Sequence, residues 1–245
     1  PLIPRWVHEV ILVDGNSSDN TVEVARSLLP GILVLPQQGR GKGAALRTGF
    51  AAATGDIIVM IDADGSMNPN EIPAYIGALM TGADFAKGSR FLQGGGTDDM
   101  EWFRYMGNLF LTWMVRLGYG GHYSDLCYGY NAFWRRVLHD LNLDADGFEI
   151  ETQINVRILQ ARLKISEIPS FESCRIHGVS NLNTLRDGWR VLKTIVSEWL
   201  QPRIANAPQK LRHPLLAKWL ALAPTQKIAG YAKGDQYPVV LIREG

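Results

Sequence analysis

Apolar residues in the first ninety positions fall into short unbroken runs, and stretches with helical spacing lie between them. Val7–Asp14 (VHEVILVD) reads as a strand and is followed by the turn Gly15-Asn16-Ser17-Ser18-Asp19. Residues 21–29 place Val22, Ala25, Leu28 and Leu29 on one face, which predicts a helix with that face inward. The same reading predicts strands at 32–35, 56–61 and 83–88 and helices at 44–53 and 71–80. Strands alternating with helices at these loop lengths define an α/β fold built on a mostly parallel sheet. The run Ile57-Ile58-Val59-Met60-Ile61 is continuously apolar, as expected for a strand covered on both faces.

After Gly94-Gly95-Gly96 the pattern changes. Trp102–Tyr119 is rich in large apolar residues and carries two charges, Arg104 and Arg116. A late strand at 163–168 ends before Pro169. Leu185, Trp189, Leu192, Ile195, Val196 and Trp199 then recur at helical spacing with Arg186, Arg190 and Lys193 between them. Residues 211–222 form a second basic amphipathic stretch.

The formal net charge of +1 conceals a division: residues 1–185 hold 15 Lys and Arg against 20 Asp and Glu, while residues 186–245 hold 10 against 4. A basic tail suits an anionic surface, and it equally suits a solvated face without a partner. Cys127 and Cys174, the only cysteines, have no metal-ligand spacing and no disulfide framework, so the composition fits a reducing cytosol. No uncharged apolar run reaches 18 residues.

Asp62-Ala63-Asp64 follows the buried strand directly. Residues two apart in an extended segment point the same way, so both carboxylates can face one hard cation at the carboxyl edge of the sheet. Two carboxylates leave most of a Mg²⁺ or Mn²⁺ shell open to diphosphate oxygens and water. An acidic turn capping the next helix is the plainer alternative. In Gly39-Arg40-Gly41-Lys42-Gly43, the glycines and the following helix would let backbone N–H groups approach an anion while Lys42 adds a charge. This is not a Walker A loop, because Gly43 stands where Ser or Thr must follow the lysine.

Taken in order, Val13-Asp14-Gly15-Asn16-Ser17-Ser18-Asp19-Asn20-Thr21, Gly41-Lys42-Gly43-Ala44-Ala45-Leu46, Asp62-Ala63-Asp64 and Gly88-Ser89-Arg90-Phe91 with Gly94-Gly95-Gly96 resemble glycosyltransferase family 2. The resemblance is to its polyprenyl-phosphate (dolichol-phosphate-type) hexosyltransferase branch and covers residues 7–182. It implies a GT-A fold over residues 1–182, with 183–245 as a basic amphipathic helical extension. It also implies a further strand beside Val7–Asp14 that Pro1-Leu2-Ile3-Pro4 cannot supply.

The implied chemistry is metal-dependent, inverting transfer of a hexosyl group from UDP- or GDP-hexose to polyprenyl phosphate. Asp14, Lys42, Asp62, Asp64, Arg90 and His177 would bind the nucleotide sugar, and Asp62 and Asp64 would hold Mg²⁺ or Mn²⁺. Arg90, Arg135 and Arg136 would bind the acceptor phosphate. For a hydroxyl acceptor, Asp125, Glu149 or Glu151 would take its proton. Such an enzyme would be cytoplasmic and peripheral at the inner face of the membrane, its apolar helices meeting lipid, the sheet or a second copy. The competing classes are a soluble family 2 enzyme acting on a hydroxyl, a sugar nucleotidyltransferase and a non-catalytic nucleotide-sugar-binding module. No nucleic-acid motif accompanies the basic tail.

Overall fold

The computed structural model of the chain describes residues 2–175, 184–200 and 237–242. In chain order the first half contains β1 (Val7–Asp14), α1 (Thr21–Leu28), β2 (Leu33–Pro36), α2 (Lys42–Ala52), β3 (Ile57–Asp62), α3 (Ile72–Met80), β4 (Phe85–Ser89), β5 (Gly96–Thr97) and α4 (Trp102–Tyr119). β6 (Asn131–Trp134), α5 (Leu138–Leu141), α6 (Glu149–Gln160), β7 (Ile165–Pro169), β8 (Phe171–Glu172), α7 (Thr184–Leu200) and β9 (Tyr237–Ile242) complete it. The seven-stranded sheet runs β2-β1-β9-β3-β6-β4-β7. Only β6 is antiparallel to its neighbours, pairing Met60 with Asn131 on one side and Lys87 with Asn131 on the other.

β3 is buried at every position but Asp62, with Ile57, Ile58 and Val59 fully enclosed. Its lack of alternation follows from cover on both faces, as the sequence predicts. The core gathers Phe50 from α2, Tyr75 and Leu79 from α3, Phe85 and Phe133 from β4 and β6, and Ile150 and Ile154 from α6. Phe50 meets Phe133 edge-on at 5.5 Å, and Tyr75 stacks on Tyr130 at 4.3 Å.

Three expectations change. The place between β1 and β3 is held by β9, parallel to both, with Ile242 level with both Val13 and Asp62. The segment 183–245 is therefore not wholly helical: α7 is a helix, but Tyr237–Ile242 belongs to the central sheet. The stretch 211–222 lies outside the described residues. α1 buries no residue, and Leu28 is exposed; its position outside β1 gives its apolar face little to pack against.

α4 spans Trp102–Tyr119, the stretch rich in large apolar residues, and stops at Gly120, whose φ of +73° costs a glycine little. Its inward face consists of Asn108, Leu111, Thr112 and Val115. Phe103, Met106, Phe110, Trp113 and Leu117 form an outward stripe at alternating spacings of three and four. α7 packs on α4 and α6 through Val191 and Ile195, a hydrogen bond of 2.5 Å from Tyr119 Oη to Ile195 O, and the buried Arg157–Glu198 ion pair. Trp189, Val196 and Trp199 of α7 stay exposed, with Trp199 next to Gly118 of α4.

Candidate active site

Asp14 ends β1 and Asp62 ends β3, so the carboxyl edge of the sheet collects acidic groups at its topological switch. Asp14 caps the following turn, accepting from Ser17 Oγ at 2.5 Å and from Ser17 N at 3.3 Å. Asp62 receives the Lys42 ammonium at 2.8 Å, and the same ammonium lies 2.8 Å from Glu151 Oε1. Lys42 reaches them from the first turn of α2, Glu151 from the first turn of α6. The three charges form one nearly enclosed cluster, in which Lys42 is 7% exposed.

Burial pushes the Asp62 carboxyl above the ordinary carboxylate range; Lys42 opposes the rise, and Glu151 and Asp64 add to it. Asp64 Oδ1 accepts from Ser66 N at 3.0 Å and Ser66 Oγ at 2.7 Å, while its Oδ2 lies 3.3 Å from Arg175 Nε. These two carboxylates are hard oxygen donors at a spot where the fold already sets positive charge against each of them. The donor set therefore fits Mg²⁺ or Mn²⁺. Among the described residues no cluster of three or more His, Cys, Asp or Glu could hold a metal. A cation on Asp62 and Asp64 would need other ligands to fill its shell.

The Gly-rich loop works differently from the sequence reading. Gly41, at φ +90°, precedes α2, and a Cβ there would lie 2.5 Å from Asp146 O. Gly43 N donates to Asp146 O at 2.8 Å and Ala44 N to the same oxygen at 3.3 Å. The glycines thus let α2 press against the 145–147 backbone, and these two amides are spent there. From this loop it is Lys42 that meets the acidic cluster of Asp62 and Glu151.

Arg90 and Asp125 are also reassigned by geometry. Arg90 donates through Nε to Asp125 Oδ2 at 2.7 Å and through Nη2 to Asp125 Oδ1 at 2.9 Å, while Nη1 reaches Glu172 at 2.9 Å. Asn108 adds a bond of 2.6 Å to Asp125. Asp125 is completely buried. Burial raises its pKa, but the Arg90 guanidinium overrides this and holds the carboxyl below its usual range, with Lys87 and Asn108 helping. A base for an acceptor must touch solvent or substrate and gain a proton; Asp125 does neither. The fork of Arg90 is filled by carboxylates, not open to phosphate.

Arg135 and Arg136 are not brought to the site. Arg135 Nε donates to Gly55 O at 2.6 Å and Arg136 pairs with Asp84 at 3.3 Å, both at the amino end of β3 and β4. Because β6 is antiparallel, the residues following it emerge a strand length, roughly 17 Å, from Asp62. Glu149 and Glu151 separate as well, since residues two apart on a helix do not share a face. Glu149 accepts from Gly147 N at 3.2 Å, at the start of its own helix, and Glu151 alone joins Lys42. His177 lies outside the described residues.

A cleft adjoins the cluster through Glu151, lined also by Arg90 and Cys127, by Arg104 and Leu111 of α4 and by Val191 of α7. Glu151 thus faces Lys42 and the cleft together. Four contributors escaped the sequence reading. Arg175 is a lone arginine after β8; Arg104 lines the cleft; Lys87 is fully buried and donates to Tyr128 O at 2.6 Å, bracing the loop that carries Cys127 and Gly129. A Cβ on Gly129 would fall 2.6 Å from Glu151 Oε1, 3.2 Å from Lys42 Nζ and 3.3 Å from Asp62 Oδ2. The Asp-x-x-x-Gly spacing from Asp125 was the available signal for Gly129; the other three have none.

The profile of the family described as "Glycosyl transferase family 2" matches residues 6–141. Glycosyltransferase AglJ of Haloferax volcanii is 31% identical over 183 residues, covering 73% of this chain and 59% of that protein. Polyprenol monophosphomannose synthase of Mycolicibacterium smegmatis is 30% identical over 216 residues, covering 81% of each. Glucosyl-3-phosphoglycerate synthase of Mycobacterium tuberculosis, solved with Mn²⁺, UDP-glucose and phosphoglyceric acid, superposes with a TM-score of 0.60 at 26% identity, over 80% of this chain and 70% of that one. The chain spans less than two thirds of the length of AglJ. A profile match over more than half the chain, a carboxyl-edge Asp62–Lys42–Glu151 cluster and the shared architecture place this protein, with its GT-A fold, in glycosyltransferase family 2.

Proposed function

We propose that the protein transfers a hexosyl group, with inversion, from a nucleotide-diphosphate sugar to a polyprenyl phosphate at the surface of a membrane. The carrying observation is the junction of three features: the acidic pair Asp62 and Asp64 with Lys42, the cleft lined by Glu151 and Arg104, and the outward apolar stripe on another face of α4, the helix that lines that cleft through Arg104 and Leu111. Asp62 and Asp64 would hold Mg²⁺ or Mn²⁺, which when bound neutralises charge on the departing diphosphate. Lys42 would add its charge to the same diphosphate. Asp14, at the neighbouring strand end, would meet the nucleotide base or ribose. The polyprenol-phosphate and UDP-glucose relatives support the two substrate classes by their names.

An ionised phosphate acceptor attacks the anomeric carbon without giving up a proton, so its chief need is positioning. Arg104 lines the cleft and has no ion pair with another described residue, which makes it a better acceptor-phosphate contact than the filled fork of Arg90. Among the described residues no helix is long and apolar enough to cross a membrane. α4 exposes Phe103, Met106, Phe110, Trp113 and Leu117, α7 exposes Trp189 and Trp199, and the same two helices carry Arg116, Arg186, Arg190 and Lys193. Such a surface suits helices lying in the interface of an anionic bilayer.

A second reading is a hydroxyl acceptor with Glu151 as base, and the position of Glu151 in the cleft favours it. A donor screen in Mn²⁺ separates the two, reading released nucleoside diphosphate with polyprenyl phosphate or with soluble sugars and phosphoglycerate. Polyprenyl phosphate should be the acceptor that accelerates release; acceleration only by a soluble hydroxyl compound would replace the proposal.

The membrane contact has its own test. Phe110→Ser with Trp113→Ser should weaken binding to phosphatidylglycerol-containing vesicles by at least ~10-fold, since burying each such side chain is worth about 1.5–3 kcal/mol. Both side chains are exposed, so the melting temperature should hardly move. Unchanged vesicle binding with loss of a dimer in light scattering would assign the stripe to a second copy.

A further inference from the structure

Each carboxylate of the Asp62–Asp64 pair is met by a basic side chain, and each of those side chains has a second acidic partner. Lys42 Nζ lies 2.8 Å from Asp62 and 2.8 Å from Glu151. Arg175 Nε lies 3.3 Å from Asp64 Oδ2 and 3.5 Å from Asp99 Oδ2. Lys42 can therefore leave Asp62 and keep Glu151, and Arg175 can leave Asp64 and keep Asp99. The absent side chain of Gly129, directly beside Lys42 Nζ, Glu151 and Asp62, leaves the ammonium free of a wall on that side. With no third metal-ligating group clustered among the described residues, a divalent ion arriving alone would gain two carboxylates and have to expel two cations.

We infer that Lys42 and Arg175 are displaceable occupants of the metal site, which oppose the metal on its own and turn to the diphosphate when metal and donor enter together. This rests on the donor-site reading above. The resting cluster is charge-compensated by the chain itself. Entry of the metal frees two cations next to the place where a diphosphate would complete the metal's shell, and the diphosphate in turn gives those cations new partners. Metal and nucleotide then strengthen each other's binding by the same factor, as linkage requires.

The test uses the whole chain and Mn²⁺ itself, following free Mn²⁺ by electron paramagnetic resonance without nucleotide. Lys42→Met and Arg175→Gln should each bind Mn²⁺ more tightly than wild type, by ~5-fold or more, because a unit charge a few ångströms from the ion is removed. In saturating Mn²⁺ the same variants should bind UDP or GDP less tightly by a comparable factor. A merely structural lesion weakens both; it does not move them in opposite directions. Arg175 is partly exposed on a loop, so Arg175→Gln serves if the buried Lys42→Met fails to fold. Mn²⁺ affinity unchanged or reduced in the folded variants overturns the inference. Failure of wild type to bind either nucleotide would instead overturn the donor-site reading, and the manganese arm would still decide whether the cations are displaceable.

Discussion

Asp64→Ala should abolish metal-dependent binding of the nucleotide sugar while leaving the fold in place. Asp64 sits in the loop after β3, where it accepts hydrogen bonds from Ser66 N and Oγ and pairs with the partly exposed Arg175 at 3.3 Å. Losing that local turn costs about 1 kcal/mol, within the usual worth of a capping side chain. The functional cost is larger. A metal left with one protein carboxylate is poorly held, and the diphosphate then enters a region where Asp62 and Glu151 repel it. The donor should bind at least ~30-fold more weakly in Mn²⁺, about 2 kcal/mol or more. Calorimetric titration of UDP- and GDP-sugars into wild type and variant measures this directly. Equal affinities in Mn²⁺ would remove Asp64 from the metal site.

Asp125→Asn should act on stability, not on proton transfer. The variant leaves Arg90 buried with one of its two carboxylates gone and Asn108 facing an amide. Breaking a buried pair from one side typically costs about 3–5 kcal/mol. For a chain of this size that lowers the melting temperature by roughly 10 °C. The pH dependence carries a sign. The native pKa of Asp125 lies below its ordinary value, so its contribution is present above the unfolded carboxylate pKa of about 4 and disappears as pH falls through the lower native value. The stability gap between wild type and variant should be constant from about pH 5 to 8 and close in acid. Chemical denaturation at several pH values checks it. A dead variant with wild-type stability would restore Asp125 as a reacting group.

Much of the fold was legible because its signals are local. The apolar run of β3 needs only its neighbours in sequence to read as a strand buried on both faces, and the apolar stretch singled out at 102–119 proves to be one helix, α4. Asp62 and Asp64 were legible for the same reason: strand periodicity alone points both carboxylates off one strand end. Lys42 was found through its glycines, although those glycines prove to serve packing against 145–147 and not an anion.

Charge partners were not legible. Arg90 as a phosphate fork and Asp125 as a base were each reasonable in isolation, but they lie 35 positions apart and saturate one another across β4 and the loop before β6. Arg135 and Arg136 followed a motif that does reach the site, yet the antiparallel run of β6 carries them to the far end of the sheet. Arg175 and Arg104 show no pattern in sequence at all; only the packing of the β8 end against the Asp64 loop, and of α4 against α6 and α7, makes them part of the site.

The sequence by itself determined the α/β class, the order of elements as far as β4 and the acidic pair at the end of β3, since these rest on periodicity and turn chemistry within a few residues; β5, β6 and α5 left no such signal. Tertiary structure alone decided that β9 lies between β1 and β3, that α4 and α7 turn their aromatic residues outward, and which acidic group each buried cation meets. Those outcomes depend on through-space pairing between distant segments, where a charge takes the partner that desolvation and distance allow, and linear spacing records neither.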